Sequence, residues 1–154
     1  MAVLGGLREV RLLDKLLGMY RKLSADGVRL FSWDIGDEKA TTMEMNGEYA
    51  IFVDFDNIEN KAEETVVIYH EGGHASTGAT HKVSSPYDLV EKHEYKAWKW
   101  AVQNFITAEE LDEAVAAGCT DLQSLAEHFC VTVPFMKKAV CWYTHGNRAT
   151  ELYF

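Results

Sequence analysis

Residues 66–74 read Val-Val-Ile-Tyr-His-Glu-Gly-Gly-His, and this stretch constrains the fold more than any other. It lies in a helix-forming segment that opens at Asn60, with Glu63 placed as in a capping box, and runs to about Gly78. Two adjacent glycines inside a helix cost about 2 kcal/mol together in helix propensity. A purely structural helix gains nothing from that. Gly73, lacking a Cβ, lets another backbone or a substrate come close. His70 and His74 are four residues apart and so share one face of the helix.

Two imidazoles so spaced can bind one Zn2+ at about 2.0–2.1 Å each. Glu71 stands one step round the helix, where it can reach a water on the ion without ligating the ion. Zinc brings the pKa of such a water to about 7, and a carboxylate takes its proton as attack begins. The bare pattern His-Glu-x-x-His also arises by chance in unrelated chains. The apolar, capped turn before it and the glycine pair raise the functional reading above that alternative.

A catalytic zinc needs a third protein ligand and one open position. Glu94 is the candidate. Val90, Glu94, Ala97, Trp98, Ala101 and Phe105 form one helical stripe that is apolar except for Glu94. A carboxylate there is costly unless paired or metal-bound. The plain alternative is a salt bridge to a nearby Arg or Lys. His93, His81 and Asp88 compete as ligands, although His93 lies about 100° round the helix from Glu94. His81, Tyr69, Tyr87 and Tyr95 are candidates for steadying an oxyanion or touching substrate, with none preferred. His128 and His145 read as surface or helix-end residues.

Around this centre the chain reads as α+β. Leu7, Val10, Leu13, Leu17 and Tyr20 give a first helix one buried stripe. Val28–Ile35, Thr41–Met45 and Glu48–Phe55 read as strands, with Asn46-Gly47 as a two-residue hairpin turn. We expect a small antiparallel sheet of about three strands. Ser85 as N-cap and Pro86 at the first helical position open a second long helix, ending near Phe105. Thr107 with Glu110 caps a third helix, Thr120 with Gln123 a fourth, and Pro134 opens a last one. The expected division is a metal-binding core over 1–106 and a helical region over 107–154, packed on that core.

Charge and cysteine content narrow the function. The net charge of −9 argues against nucleic acid as a general partner, since phosphate contact needs clustered Lys and Arg. The last two helices resemble a helix-turn-helix, but the second would offer only Lys137 and Lys138 as basic residues. Direct DNA binding is therefore not expected. Cys119, Cys130 and Cys141 form no C-x-x-C pair and read as reduced, buried thiols. No apolar run reaches the roughly 18–20 residues a membrane span needs. Charged residues interrupt the leucine-rich start, unlike a secretory signal. A cytoplasmic protein without a membrane partner is the expectation.

These residues resemble the ImmA/IrrE family of metallopeptidases over roughly residues 45–145. The resemblance rests on the lead-in Gly47-Glu48-Tyr49-Ala50-Ile51-Phe52-Val53 and on the His70–His74 motif with Ser76-Thr77-Gly78-Ala79 after it. It continues through His93-Glu94-Tyr95-Lys96-Ala97-Trp98-Lys99-Trp100-Ala101. The run Asp121–Phe129 followed by Val131-Thr132-Val133-Pro134-Phe135 is similar to the helical tail of phage and mobile-element members. The resemblance implies a gluzincin-like α+β fold, zinc as cofactor and Glu94 as third ligand. It also implies selective proteolysis of a repressor or similar regulator. Gly72 departs from the family, which usually has a larger apolar residue there, and is expected to loosen the helix. The rival expectations are a binding module without catalysis and a metal sensor that acts through contact.

Overall fold

A computed structural model of the protein describes residues 2–80 and 86–145, with side chains from Leu13 onward. Its architecture is α+β: a three-stranded sheet and six α-helices. Helix α1 (Ala2–Ala25) leads into strands β1 (Arg29–Ser32), β2 (Ala40–Met45) and β3 (Glu48–Val53). A single 3-10 turn, Phe55–Asn57, precedes α2 (Lys61–Thr77). Then follow α3 (Tyr87–Phe105), α4 (Ala108–Ala116), α5 (Leu122–Phe129) and α6 (Val133–His145). Among the described residues no helix is long and apolar enough to cross a membrane.

Asn46 and Gly47 have φ of 55° and 81°, the positive values that a tight hairpin turn between twisted strands requires. They fix the β2–β3 register, with Met45 opposite Glu48 and Thr42 opposite Ile51. The expected all-antiparallel sheet is not found. The order is β1-β3-β2, and β1 runs parallel to β3, with Leu30 opposite Ile51. Residues 33–39 carry the chain past the middle strand, so consecutive strands β1 and β2 are not neighbours. β2 is left at an edge. Residues opposite one another share a sheet face, so Thr42 lies on the same side as buried Ile51 and Val53.

Helix α2 starts where its cap places it: the Asn60 side chain accepts from the Glu63 N–H at 2.9 Å. Such a cap contributes about 1 kcal/mol. Its C-cap is Gly78, at φ 67°. Ile68 and Tyr69 face the core. On α1 the buried stripe is Leu16, Met19 and Leu23, whereas Leu13 and Leu17 are exposed. Leucines stand on both sides of this helix; of the expected stripe only Tyr20 packs against the core, and Leu7 and Val10 fall outside the described side chains. Gly72 does not loosen α2, which is continuous through it. The end of Met19 occupies the space a side chain there would take.

The N-cap of α3 is Pro86 rather than Ser85, which lies outside the described residues. Thr107 and Glu110 form the predicted capping box on α4. On α5 the box is Asp121 with Ser124, one residue later than Thr120 with Gln123. Phe105 meets Phe129 and Phe135 edge-on, at centroid distances of 6.4 and 5.5 Å, and so joins α3 to α5 and α6. The three cysteines are free, and half-buried rather than fully buried.

Candidate metal centre

Helices α2 and α3 approach backbone to side-chain-free backbone. A Cβ built on Gly73 would lie 2.4 Å from the Ala97 carbonyl oxygen and 3.0 Å from its Cα. No side chain fits there. One helical turn before Ala97, the same approach brings Glu94 against the two histidines of α2. Glu94 Oε2 is 2.8 Å from His70 Nε2, and Oε1 is 3.0 Å from His74 Nε2. One ligand atom from each of the three lies within 4.8 Å of the others, a grouping of His, Cys, Asp or Glu not repeated among the described residues.

The electrostatics follow from this packing. Burial alone would raise the Glu94 carboxyl and lower the His74 imidazole. On Glu94 the two histidines outweigh burial and hold the carboxyl far below the usual carboxylate range. On His74 burial is outweighed by hydrogen bonds to Glu94 and the Ala79 carbonyl and by the charges of Glu71 and Glu94, so its pKa rises. His74 Nδ1 donates to the Ala79 oxygen at 2.6 Å. That bond leaves Nε2 as the nitrogen facing the cluster, and a bond of this kind usually fixes the tautomer of a ligating histidine. Two imidazoles and one carboxylate are a donor set that fits a divalent ion such as zinc.

Glu71 sits beside the cluster, 6 % exposed. The Thr42 hydroxyl on β2 donates to Glu71 Oε2 at 2.5 Å. Its other oxygen, Oε1, lies 3.9 Å from His70 Nδ1. The edge strand thus holds the carboxylate by one oxygen and leaves the other without that bond. A cleft of about 250 Å³ opens over these groups; Ala40, Thr41 and Thr42 line it with Glu38 and Thr80, and among the described residues no Lys or Arg does.

The predicted residues sort clearly. His70, Glu71, His74 and Glu94 come together in one cleft. The salt-bridge alternative for Glu94 named Arg or Lys, and the pairing found is with two histidines. Asp88 is exposed in the first turn of α3, and His93 is outside the cluster. His81 lies outside the described residues. Tyr69 is spoken for: its hydroxyl donates to the Lys15 carbonyl at 3.0 Å, and burial, with Glu110 nearby, raises its pKa to about 12. Neither Tyr87 nor Tyr95 lines the cleft. His128 packs beside Phe129, and His145 ends α6.

Sequence reading missed Thr42, Trp98 and Lys138. Trp98 stacks on His70 with ring centroids 3.9 Å apart and planes at 6°. Lys138, one of the two basic residues noted on the last helix, has Nζ 4.9 Å from the Trp98 ring centroid. Burial lowers its pKa, against the opposing charge of Glu94. Comparison with models of protein families, with curated proteins and with solved structures finds no match.

Proposed function

We propose that this chain is a zinc-dependent endopeptidase of the ImmA/IrrE kind, acting in the cytoplasm on a repressor or similar regulator. One observation carries the reading: His70, His74 and Glu94 converge within 4.8 Å beside the buried carboxylate of Glu71. His70 and His74 would hold the ion through Nε2, and Glu94 through its carboxylate. Zinc bound there supplies Lewis-acid chemistry, acidifying water and polarising a carbonyl.

The chain's own groups do the rest. Thr42 keeps Glu71 Oε2 occupied, so Oε1 is the atom that takes the proton from attacking water. The same atom can return that proton to the departing amine. The Ala79 carbonyl holds the His74 ring while this happens. Selectivity for one regulator would come from docking away from the cleft, since remote contacts can position a bond for attack. The contact of half-buried Lys138 with Trp98 engages one of the two lysines that the helix-turn-helix alternative would need for DNA.

The test incubates the protein with casein and with a candidate repressor, with and without a chelator. Cleavage of the repressor that chelator abolishes, and that Glu71→Gln lacks while retaining zinc, is the expected result. Efficient digestion of casein contradicts the selectivity. Full zinc with no cleavage of either protein favours the metal-sensor reading.

A further inference from the structure

We infer that Trp98 is a positioning residue for His70, a flat plate that sets the plane of that imidazole at the metal cluster. The inference rests on the metal-binding reading above. The two histidines are held in different ways. His74 has its Nδ1 fixed by the Ala79 carbonyl at 2.6 Å. On His70, the Glu71 oxygen facing Nδ1 is 3.9 Å away, beyond hydrogen-bond range. The His70 ring therefore needs another restraint against rotation about its terminal torsion, which is intrinsically broad.

The indole of Trp98 supplies it. Its plane lies within 6° of the imidazole plane at 3.9 Å, and only rotation that breaks this stack can turn Nε2 away from Glu94. Trp98 follows Glu94 by four residues on α3, so ligand and plate sit on one face of one helix. The plate is itself held from α6: the Phe135 ring centroid is 6.2 Å from that of Trp98, and Lys138 Nζ is 4.9 Å from it. An electron-rich indole face also suits an imidazole that loses electron density on ligating a cation. The C-terminal helices thereby reach the metal cluster through one side chain.

The experiment measures zinc affinity by competition with a chelating dye, together with the d–d absorption spectrum of the cobalt(II)-loaded protein. Trp98→Leu is expected to bind zinc about 10-fold more weakly, the usual lower range for loss of a group that orients a metal ligand. Its cobalt spectrum should change, because ligand orientation changes. Trp98→Phe keeps a flat ring and should recover most of the affinity. Trp142→Leu, which removes an indole on α6 paired with Lys99, should leave both readouts unchanged. Trp98→Met replaces Trp98→Leu should the latter not fold, with the same expectations. A folded Trp98→Leu or Trp98→Met with the wild-type affinity and spectrum overturns the inference. Equal losses in Trp98→Leu and Trp98→Phe assign the effect to packing volume and overturn the stacking. If the wild type binds zinc and these variants match it, only this inference falls; if the wild type binds none, the metal reading falls first and takes it along.

Discussion

On one side of α2, Gly72 faces α1, and an added Cβ there would sit 2.1 Å from the terminal carbon of Met19. On the other side, Gly73 faces α3, and an added Cβ would sit 2.4 Å from the Ala97 carbonyl oxygen. The two positions are neighbours in sequence and both are buried. Their obstacles differ in kind. Met19 is an unbranched, flexible side chain that can swing aside. The Ala97 carbonyl is helix backbone and moves only if α3 moves. The core side of α2 is thus adaptable and the side of the candidate metal centre, the metal side, rigid, which suits a group whose three side chains come from two helices.

Gly73→Ala should break the metal side. Overpacking of this kind costs about 3 kcal/mol, and the displaced α3 would draw Glu94 from the histidines. Urea unfolding and zinc competition should both register the loss. Wild-type values in both would show that the helices do not depend on this contact.

Gly72→Ala sharpens the comparison. The gain of about 1 kcal/mol in helix propensity offsets the cost of displacing Met19. Stability should stay within about 1 kcal/mol of wild type, with unchanged zinc affinity. A loss as large as that of Gly73→Ala, read in the same unfolding experiment, would mean that the α1 side is as rigid as the α3 side.

The smallest expected effect lies on the α1 side, where Lys15 pairs with Glu110 at 2.8 Å and joins α1 to α4. Burial raises the Glu110 carboxyl, but Lys15 and the Thr107 cap outweigh it, and the net direction is down. A depressed carboxyl stabilises the fold above its unfolded pKa, and that contribution is lost as pH falls through the lower folded value. Glu110→Gln keeps a capping side chain and removes the charge. At pH 7 it should cost about 0.5 kcal/mol, as for a partly screened pair. The difference from wild type should shrink as the pH falls below about 4.3, the ordinary Glu value. A gap that widens on acidification would contradict the sign.

The metal side was the more legible region in the sequence. Helical spacing placed His70 and His74 together, the Asn60 cap fixed where their helix starts, and a lone carboxylate in an apolar stripe pointed to Glu94. Each of these signals is local to a single helix, α2 for the histidines and the cap and α3 for Glu94. The glycine pair signalled a close approach without saying to what. The α1 stripe was misread because Leu13 and Leu17 repeat with the same period as Leu16 and Leu23, and only packing distinguishes the two faces. Strand order was hidden because nothing in residues 33–39 tells that the chain steps past a strand not yet made. Thr42 and Trp98 act on Glu71 and His70 from separate elements, and a single sequence carries no local mark of such contacts.

The most direct test of the metal centre is zinc per chain after loading and removal of excess, in the wild type and three variants. The wild type and Glu71→Gln should each hold close to one equivalent, because Glu71 stands outside the His70, His74 and Glu94 group. His74→Ala and Glu94→Ala should lose most of it while remaining folded by circular dichroism. Absence of zinc from the wild type, or full zinc in both ligand variants, would contradict the account.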